Sequence, residues 1–463
     1  LYVCLMNDSF PPQIDGVANA VLNYAEIIQR RYGNALVAAP YYPDYTDSFP
    51  YRVIRYQSID LSHKVGYRAG NPFDPKAIDA ISKEPVDILH AHCPVTAVML
   101  GRTIRETRNI PMVLTYHTKF DIDIRNAISA KLLQDAAIKT LVRNIESCDE
   151  VWVVSRGAGE NLRSLGYKGE YTVMENGVDM PKGRASQEEV EQIRREFDLD
   201  PAVPTFLFVG RMMWYKGIRI ILDAVKTVSG IPVPFRMLFV GSGVEEEEIK
   251  AYARELDIMD RCIFVGAVRD RQKLRCFYTM ADMFVFPSTF DTNGLVVREA
   301  AACGLASILV RGSCASEGVT DGQNGILIDE TSDSLARVLA EISNNREKML
   351  TLGEHAMDEL YCSWETSVQK AVQRYQDIIR QKRRSILRPG SIDDRFYRSI
   401  GDTYNAIQKI RSYYDLALEQ RNELFENTGG YAEYLIDQVI ERRDALRDQI
   451  ISNITRQKKD EKK

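Results

Sequence analysis

At 463 residues the chain is too long for one ordinary domain and suits two or three. Its apolar share of 45% fits packed globular domains, and a net charge of −5 gives no electrostatic case for a nucleic-acid partner. Eight cysteines, at positions 4, 93, 148, 262, 276, 303, 314 and 362, are scattered without a C-x-x-C pair, which favours free thiols in a reducing cytosol over a disulfide framework or a zinc site.

Leu1 to Asn7 is a short apolar run that breaks at Asp8, so the chain opens inside a strand and a few residues are expected before it. The loop SFPPQIDGVANAV follows, then a helix through Arg31. Pro11, Pro12 and Gly16 put a rigid, glycine-containing turn at a strand's carboxyl end, where open α/β sheets bind ligands. Further apolar runs lie at Ala35–Ala39, Tyr51–Tyr56, Val86–Ala91, Pro111–Tyr116, Val151–Ser155 and Tyr171–Met174. Helical patterns separate most of them, which predicts a parallel sheet with helices on both faces. His90, His92 and His117 end two of these strands. A His-x-His pair needs further ligands at definite positions to hold a metal, and none is evident, so one histidine is expected to pack under the loops and another to line a cleft.

Residues 121–144 carry a helical apolar stripe of Ile128, Leu132, Leu133, Ala136, Ile138 and Leu141, flanked by Arg125, Lys131, Lys139 and Arg143. On physics alone this is equally a basic amphipathic helix resting on an anionic membrane and an ordinary surface helix with solvated cations. No run reaches the roughly eighteen apolar residues that span a bilayer.

Asn176-Gly177 marks a turn, and Glu188–Phe197 reads as an exposed helix leading into a second unit. A new strand, Thr205 to Gly210, is followed by RMMWYKGI. Arg211 and Lys216 there stand five apart across a loop that opens a helix at Ile218, an arrangement suited to a diphosphate. Gly241 and Gly243 form a lone G-x-G, but Glu245–Glu248 crowd the helix start and would repel a pyrophosphate, so this is a tight turn rather than a dinucleotide fingerprint. Cys262–Val268 is another strand and turn. The stretch VFPSTFDTNGLVVREAAACGLASILV, Val285 to Val310, reads as strand, polar loop, helix and strand. Gly294 opens that helix, whose first N–H groups point beyond its end and form an anion site at Gly294, Leu295 and Val296. Asp291 and Glu299 flank the site and can accept hydrogen bonds from sugar or ribose hydroxyls.

These motifs together resemble the family 4 retaining glycosyltransferases, which have the GT-B fold. Pro287, Ser288, Gly294, Leu295, Val296, Glu299, Ala300, Ala302 and Gly304 fall in register with the family's P-S-x-x-E-x-F-G-L-V-x-x-E-A-x-A-x-G segment, and Gly210, Arg211, Lys216 and Gly217 with its G-R-x-x-x-x-K-G pattern. The chain departs where Asp291 replaces the first Glu, Asn293 an aromatic, Tyr215 an acid and Ala306 a proline. DSFPPQIDGVANAVLNYA and YHTKFDIDI are most similar to the bacterial branch that glycosylates diacylglycerol. The resemblance covers roughly four-fifths of the chain.

It implies an α/β protein of two doubly wound parallel-sheet domains facing a cleft, with a C-terminal helical tail. The expected division is an acceptor-binding domain at 1–180, a nucleotide-sugar domain at 181–362, a crossover helix at 363–384 and a hairpin or coiled-coil tail at 385–463. Two amphipathic stretches in that tail either pair subunits or fold back on the catalytic domains.

The implied activity is hexosyl transfer from a nucleotide sugar, UDP-glucose being favoured, to diacylglycerol or another glycolipid acceptor. A soluble saccharide acceptor is the variant on that reading. Arg211 and Lys216 would hold the diphosphate, Glu299 the ribose and Asp291 the hexose. Gly16, Gly210 and the helix start at Gly294 would face the phosphates, Gly266 and Ala267 the base, and His117 the donor hexose. The leaving phosphate oxygen would take the acceptor proton, so neither cofactor nor metal is required. Asp121-x-Asp123 matches a metal motif of the other large glycosyltransferase fold, but so short a pattern arises by chance. The implied location is the cytoplasm, at the inner face of the membrane, with contact through 121–144. A sugar-nucleotide epimerase of the same architecture and a non-catalytic scaffold are the rival classes.

Overall fold

The computed structural model describes residues 1–60, 68–120, 124–125, 130–232, 234–384, 396–397 and 400. Two parallel sheets carry the fold. The first contains β1 (Tyr2–Met6), β2 (Asn34–Pro40) and β3 (Arg52–Tyr56); a short antiparallel pair, β4 (Ser58–Asp60) and β5 (Arg68–Gly70), stands apart from it. It continues with β6 (Ile88–Ala91), β7 (Met112–Tyr116), β8 (Glu150–Val153) and β9 (Thr172–Val173). The order is β3-β2-β1-β6-β7-β8-β9. The second sheet contains β10 (Thr205–Val209), β11 (Arg236–Val240), β12 (Cys262–Gly266), β13 (Met283–Phe286), β14 (Ser307–Val310) and β15 (Gly325–Ile328), in the order β12-β11-β10-β13-β14-β15.

Each order reverses once, at β1/β6 in the first sheet and at β10/β13 in the second. Strands on either side of such a reversal send their helices to opposite faces, so a crevice opens at their carboxyl ends. Most strands are nearly continuous buried apolar runs, as a sheet covered on both faces demands. That is the GT-B architecture: two doubly wound parallel sheets, with helices between successive strands.

Each half has its own core. One large cluster surrounds the second sheet, and two clusters cover the faces of the first. The helix Trp364–Arg384 returns to the first half, where Trp364, Val368, Val372 and Tyr375 join the core beside the helix Gly16–Arg31. The chain thus crosses between halves twice, and the crossings touch: the Val178 amide donates to the Cys362 carbonyl at 3.0 Å. A Cβ on Gly177 would lie 2.2 Å from the Trp364 nitrogen, so only glycine permits this approach.

All eight cysteines are free thiols. Among the described residues no helix is long and apolar enough to cross a membrane. Of the 121–144 stretch, Asp121, Asp123 and Ile128 lie outside the described residues; the helix found there spans Lys131–Glu146. Its apolar stripe divides. Ile138 and Leu141 are buried, whereas Leu132 is 81% and Leu133 59% exposed. Most of the tail also lies outside the described residues. Within it, Tyr397 is buried beneath the Arg102 guanidinium, 3.9 Å from the ring centroid, and Phe396 meets Phe73 edge-on.

Candidate active site

The loop after β10 carries the two cations picked out in the sequence. Arg211 is exposed, its guanidinium 5.9 Å from the Tyr215 ring. Lys216 is instead buried at the end of a single turn, Trp214–Lys216. Gly217 follows with φ +77°, and a Cβ there would lie 2.4 Å from the Pro287 carbonyl. That contact presses the Lys216 loop against the loop leaving β13, across the crevice of the second sheet.

The Lys216 ammonium therefore meets Asp291 at 2.6 Å, and the Ser288 hydroxyl donates to the other carboxylate oxygen at 2.6 Å. The shorter acid reaches the lysine directly, so the substitution of Asp for Glu in this motif is compatible with a formed ion pair. Glu299 sits on the helix Leu295–Ala302. Its carboxylate pairs with Arg271 at 2.7 Å and accepts from the Tyr278 hydroxyl at 3.1 Å. Burial, reinforced by the Glu299 charge, keeps that phenol protonated.

Gly294, at φ +57°, is the N-cap of this helix, and no side chain caps it. A Cβ would come within 2.8 Å of the Ala315 Cα. The contrast with the helix Gly16–Arg31 is informative. There Asp15 occupies the N-terminus, accepting from Val17 and Ala18 at 2.8 and 2.7 Å. A helix start left uncapped at a sheet's switch point retains donors and positive potential for an anion.

The remaining candidates are placed as follows. Gly210 donates to the Val240 carbonyl, and Gly241 to the Gly266 carbonyl, so the ends of β10, β11 and β12 are knitted together. The G-x-G turn is part of that knitting, with Met212 donating to the Ser242 carbonyl. Gly266 ends β12 with open space around it, and Ala267 is exposed beyond it. Gly16 also faces open space, in the first half. Among the described residues no group of three or more histidine, cysteine or acidic side chains is arranged to hold a metal.

The three histidines separate. His90 is bonded to Tyr375 and Thr115 inside the core. His92 and His117 share a hydrogen bond of 2.9 Å between their rings. The His117 backbone carbonyl accepts from the Thr292 hydroxyl at 2.9 Å, and the Thr292 carbonyl accepts from Ser155. The loop that bears Asp291 is thereby seated on the first half. Glu317 adds a second tie, accepting from the Arg156 and Gly157 amides at 2.7 Å each, where the helix Arg156–Ser164 begins.

Sequence reasoning missed Arg271, Tyr278, Thr292, Ser155 and Glu317.

A cavity of about 490 Å³ opens beside this cluster, lined by Lys119 of the first half and by Tyr215, Gly217, Arg219, Phe290 and Glu330 of the second. It is bounded by the neighbours of Lys216 rather than by Lys216 itself.

Burial holds the imidazoles neutral. His117 is pushed down to about 3, and His90 and His92 well below their usual 6.5, with repulsion from neighbouring histidines adding to burial in both. The unfolded chain then binds more protons than the folded one below pH 6.5. The stabilisation is complete above 6.5 and is lost as pH falls from there towards 3. With as many as three protons taken up on unfolding, stability should drop by up to about 4 kcal/mol per pH unit. Urea titrations at pH 7.5, 6.5 and 5.5 check this; equal midpoints at all three would rule it out.

Two family models match the chain: Glycosyltransferase Family 4 over residues 14–181 and Glycosyl transferases group 1 over residues 189–358. An alpha-monoglucosyldiacylglycerol synthase of Streptococcus pneumoniae is 23% identical over 77% of this chain and 80% of its own length. A GDP-mannose-dependent alpha-mannosyltransferase of Corynebacterium glutamicum is 25% identical over 81% of this chain and 89% of its own length. Among solved structures, sucrose-phosphate synthase from Thermosynechococcus elongatus superposes with a TM-score of 0.65 at 22% identity, covering 82% of this chain and 99% of that one. HepE of Anabaena, in complex with UDP-glucose, gives 0.63 at 18% identity, covering 81% and 99%. At these identities the structural likenesses establish the fold.

Proposed function

Because the chain belongs to the family 4 glycosyltransferases of GT-B fold, we propose that it moves glucose from UDP-glucose to diacylglycerol or a related glycolipid, with retention of anomeric configuration. The protein is a hexosyltransferase; the donor, the acceptor and the site roles are our reading.

The observation that carries the reading is the convergence of Lys216, Asp291 and an uncapped helix start at the switch point of the second sheet. A nucleoside diphosphate placed there has Lys216 and Arg211 as counter-charges and the Leu295 and Val296 amides as donors. Those groups stabilise the charge that grows on the leaving diphosphate, which is the main demand of the reaction. Glu299, the fifth residue of the helix, takes the ribose hydroxyls in this reading. Asp291, tied to Lys216, takes the hexose in this reading.

Two points favour a lipid acceptor. Synthases of monoglucosyldiacylglycerol from two bacteria are among the relatives. The helix Lys131–Glu146 also exposes Leu132 and Leu133 beside Lys131, the apolar-plus-basic surface that an anionic bilayer binds. In this reading residues 1–180 take the acceptor and 181–362 the donor, and the protein works at the inner face of a membrane.

The test incubates the protein with labelled UDP-glucose or GDP-mannose and diacylglycerol vesicles, then extracts with chloroform. Label from UDP-glucose in the organic phase supports the proposal. Label from GDP-mannose alone overturns the donor. Label that stays aqueous overturns the acceptor, and an epimerised donor overturns transfer itself.

A further inference from the structure

The helix Leu295–Ala302 carries Glu299 and, at its start, the uncapped donors described above. Val297, Ala300, Ala301 and Ala302 seat it in the core of the second half. Arg298 stands among them and is also buried, at 8% exposed. A charge is held inside a protein where it is paired and hydrogen-bonded, and an apolar side chain of like volume often serves stability as well or better. The partners of Arg298 therefore indicate where the charge acts. One terminal nitrogen of its guanidinium donates to the Leu360 carbonyl at 3.0 Å, and the other to the Glu175 carboxylate at 2.7 Å.

Both partners stand where the chain changes halves. Met174 packs in a core of the first half and Val178 in that of the second, with Glu175 on the segment between them. Leu360 belongs to the second core and Trp364 to the first, so the Leu360 carbonyl lies at the start of the return crossing. The Glu175 backbone carbonyl accepts from the Ser367 hydroxyl at 2.6 Å, which ties it to the helix Trp364–Arg384. The bond between Val178 and Cys362 lays the crossings side by side, but both of its ends belong to the crossings themselves. Arg298 links them to the helix that bears Glu299. Its planar fork presents N–H groups at fixed angles, so the two bonds together fix a direction that a flexible ammonium would not.

We propose that Arg298 is a positioning residue that sets the angle between the halves, so that a hexose held by the second half meets the acceptor hydroxyl in the first. The inference rests on the glycosyltransferase reading above. Arg298 itself has no part in gripping the donor. In that reading Arg211, Lys216 and Glu299 grip it, all within the second half, and Val297 and the buried alanines keep the helix seated without Arg298. Loss of the fork therefore spares donor binding and harms alignment across the cleft. A misplacement of about 1 Å between reacting groups can cost on the order of 100-fold in rate.

The experiment compares wild type with Arg298→Met, Arg298→Lys, Glu175→Ala and the double variant Arg298→Met/Glu175→Ala. UDP affinity is measured by calorimetry, kcat and KM by transfer from UDP-glucose to diacylglycerol vesicles, and folding by thermal melts. Arg298→Met is expected to bind UDP within about 3-fold of wild type while kcat falls about 10- to 100-fold. Arg298→Lys keeps the charge and should recover part of that loss. Glu175→Ala should lower kcat in the same direction, and the double variant should be no slower than Arg298→Met, because both act through one bond. If Arg298→Met does not fold, the same split between kcat and UDP affinity in Arg298→Lys and Glu175→Ala decides. A folded Arg298→Met with kcat within about 3-fold of wild type overturns the proposal. So does a parallel loss of UDP affinity and kcat, which marks a displaced helix rather than a changed angle. Wild-type protein that moves no hexose overturns the functional reading itself, a result distinct from an active wild type with an indifferent variant.

Discussion

Lys216→Ala is expected to reduce kcat about 10²- to 10³-fold at saturating donor. The ammonium is a pre-positioned charge in a nearly dry site, 7% exposed and fixed at 2.6 Å by Asp291, so it needs no reorganisation when charge develops on the leaving group. Donor affinity should change less than turnover, because the interaction strengthens towards the transition state. The variant leaves Asp291 without its cation, but that side chain is 22% exposed and keeps its bond from Ser288. Water can therefore take the vacated place, and the fold should survive with a loss of about 1–3 kcal/mol. Single-turnover rates beside a thermal melt check both parts. A folded variant with more than a third of wild-type kcat would remove Lys216 from the site.

Glu299→Ala is expected to act differently, lowering kcat/KM by about 10²- to 10³-fold mainly through KM for the nucleotide sugar. The carboxylate would grip the ribose, a part of the donor that does not react, so binding suffers before chemistry does. In the structure Glu299 is held by Arg271 and Tyr278, and those bonds orient it. Glu299→Gln keeps an acceptor for the buried Tyr278 hydroxyl and should stay closer to wild-type stability than Glu299→Ala. Inhibition by UDP offers an independent readout, since its Ki should rise in parallel. An unchanged Ki in a folded variant would place the ribose elsewhere.

The fold was legible because its signals are local. Most long strands are buried apolar runs that water excludes. The three-residue strands β4 and β5 were not legible, because Ser58–Asp60 and Arg68–Gly70 bury too little to leave a pattern. The site was half legible. Motif spacing identified Arg211, Lys216, Asp291 and Glu299 as candidates. It could not foresee that Lys216 and Asp291 bond each other across 75 positions, or that Arg271 and Tyr278 hold Glu299. Such partners come from strand order, which no short window of sequence contains. The histidines show the same limit. The sequence put His90, His92 and His117 at strand ends, but only the packed sheet turns His90 inward to Tyr375 and pairs His92 with His117.

The two crossings that lie side by side at Val178 and Cys362 have a mechanical consequence. Two rigid plates joined along one edge behave as a door, with one axis and one degree of freedom. Swinging about that edge strains neither sheet, whereas sliding or twisting would tear the bonded crossings apart. Thr292 and Glu317 also bind the first half, and Arg298, on the helix that follows Thr292, bonds the Leu360 carbonyl and Glu175 beside the crossings. Opening of the cleft would break these few polar bonds while leaving the two cores undisturbed.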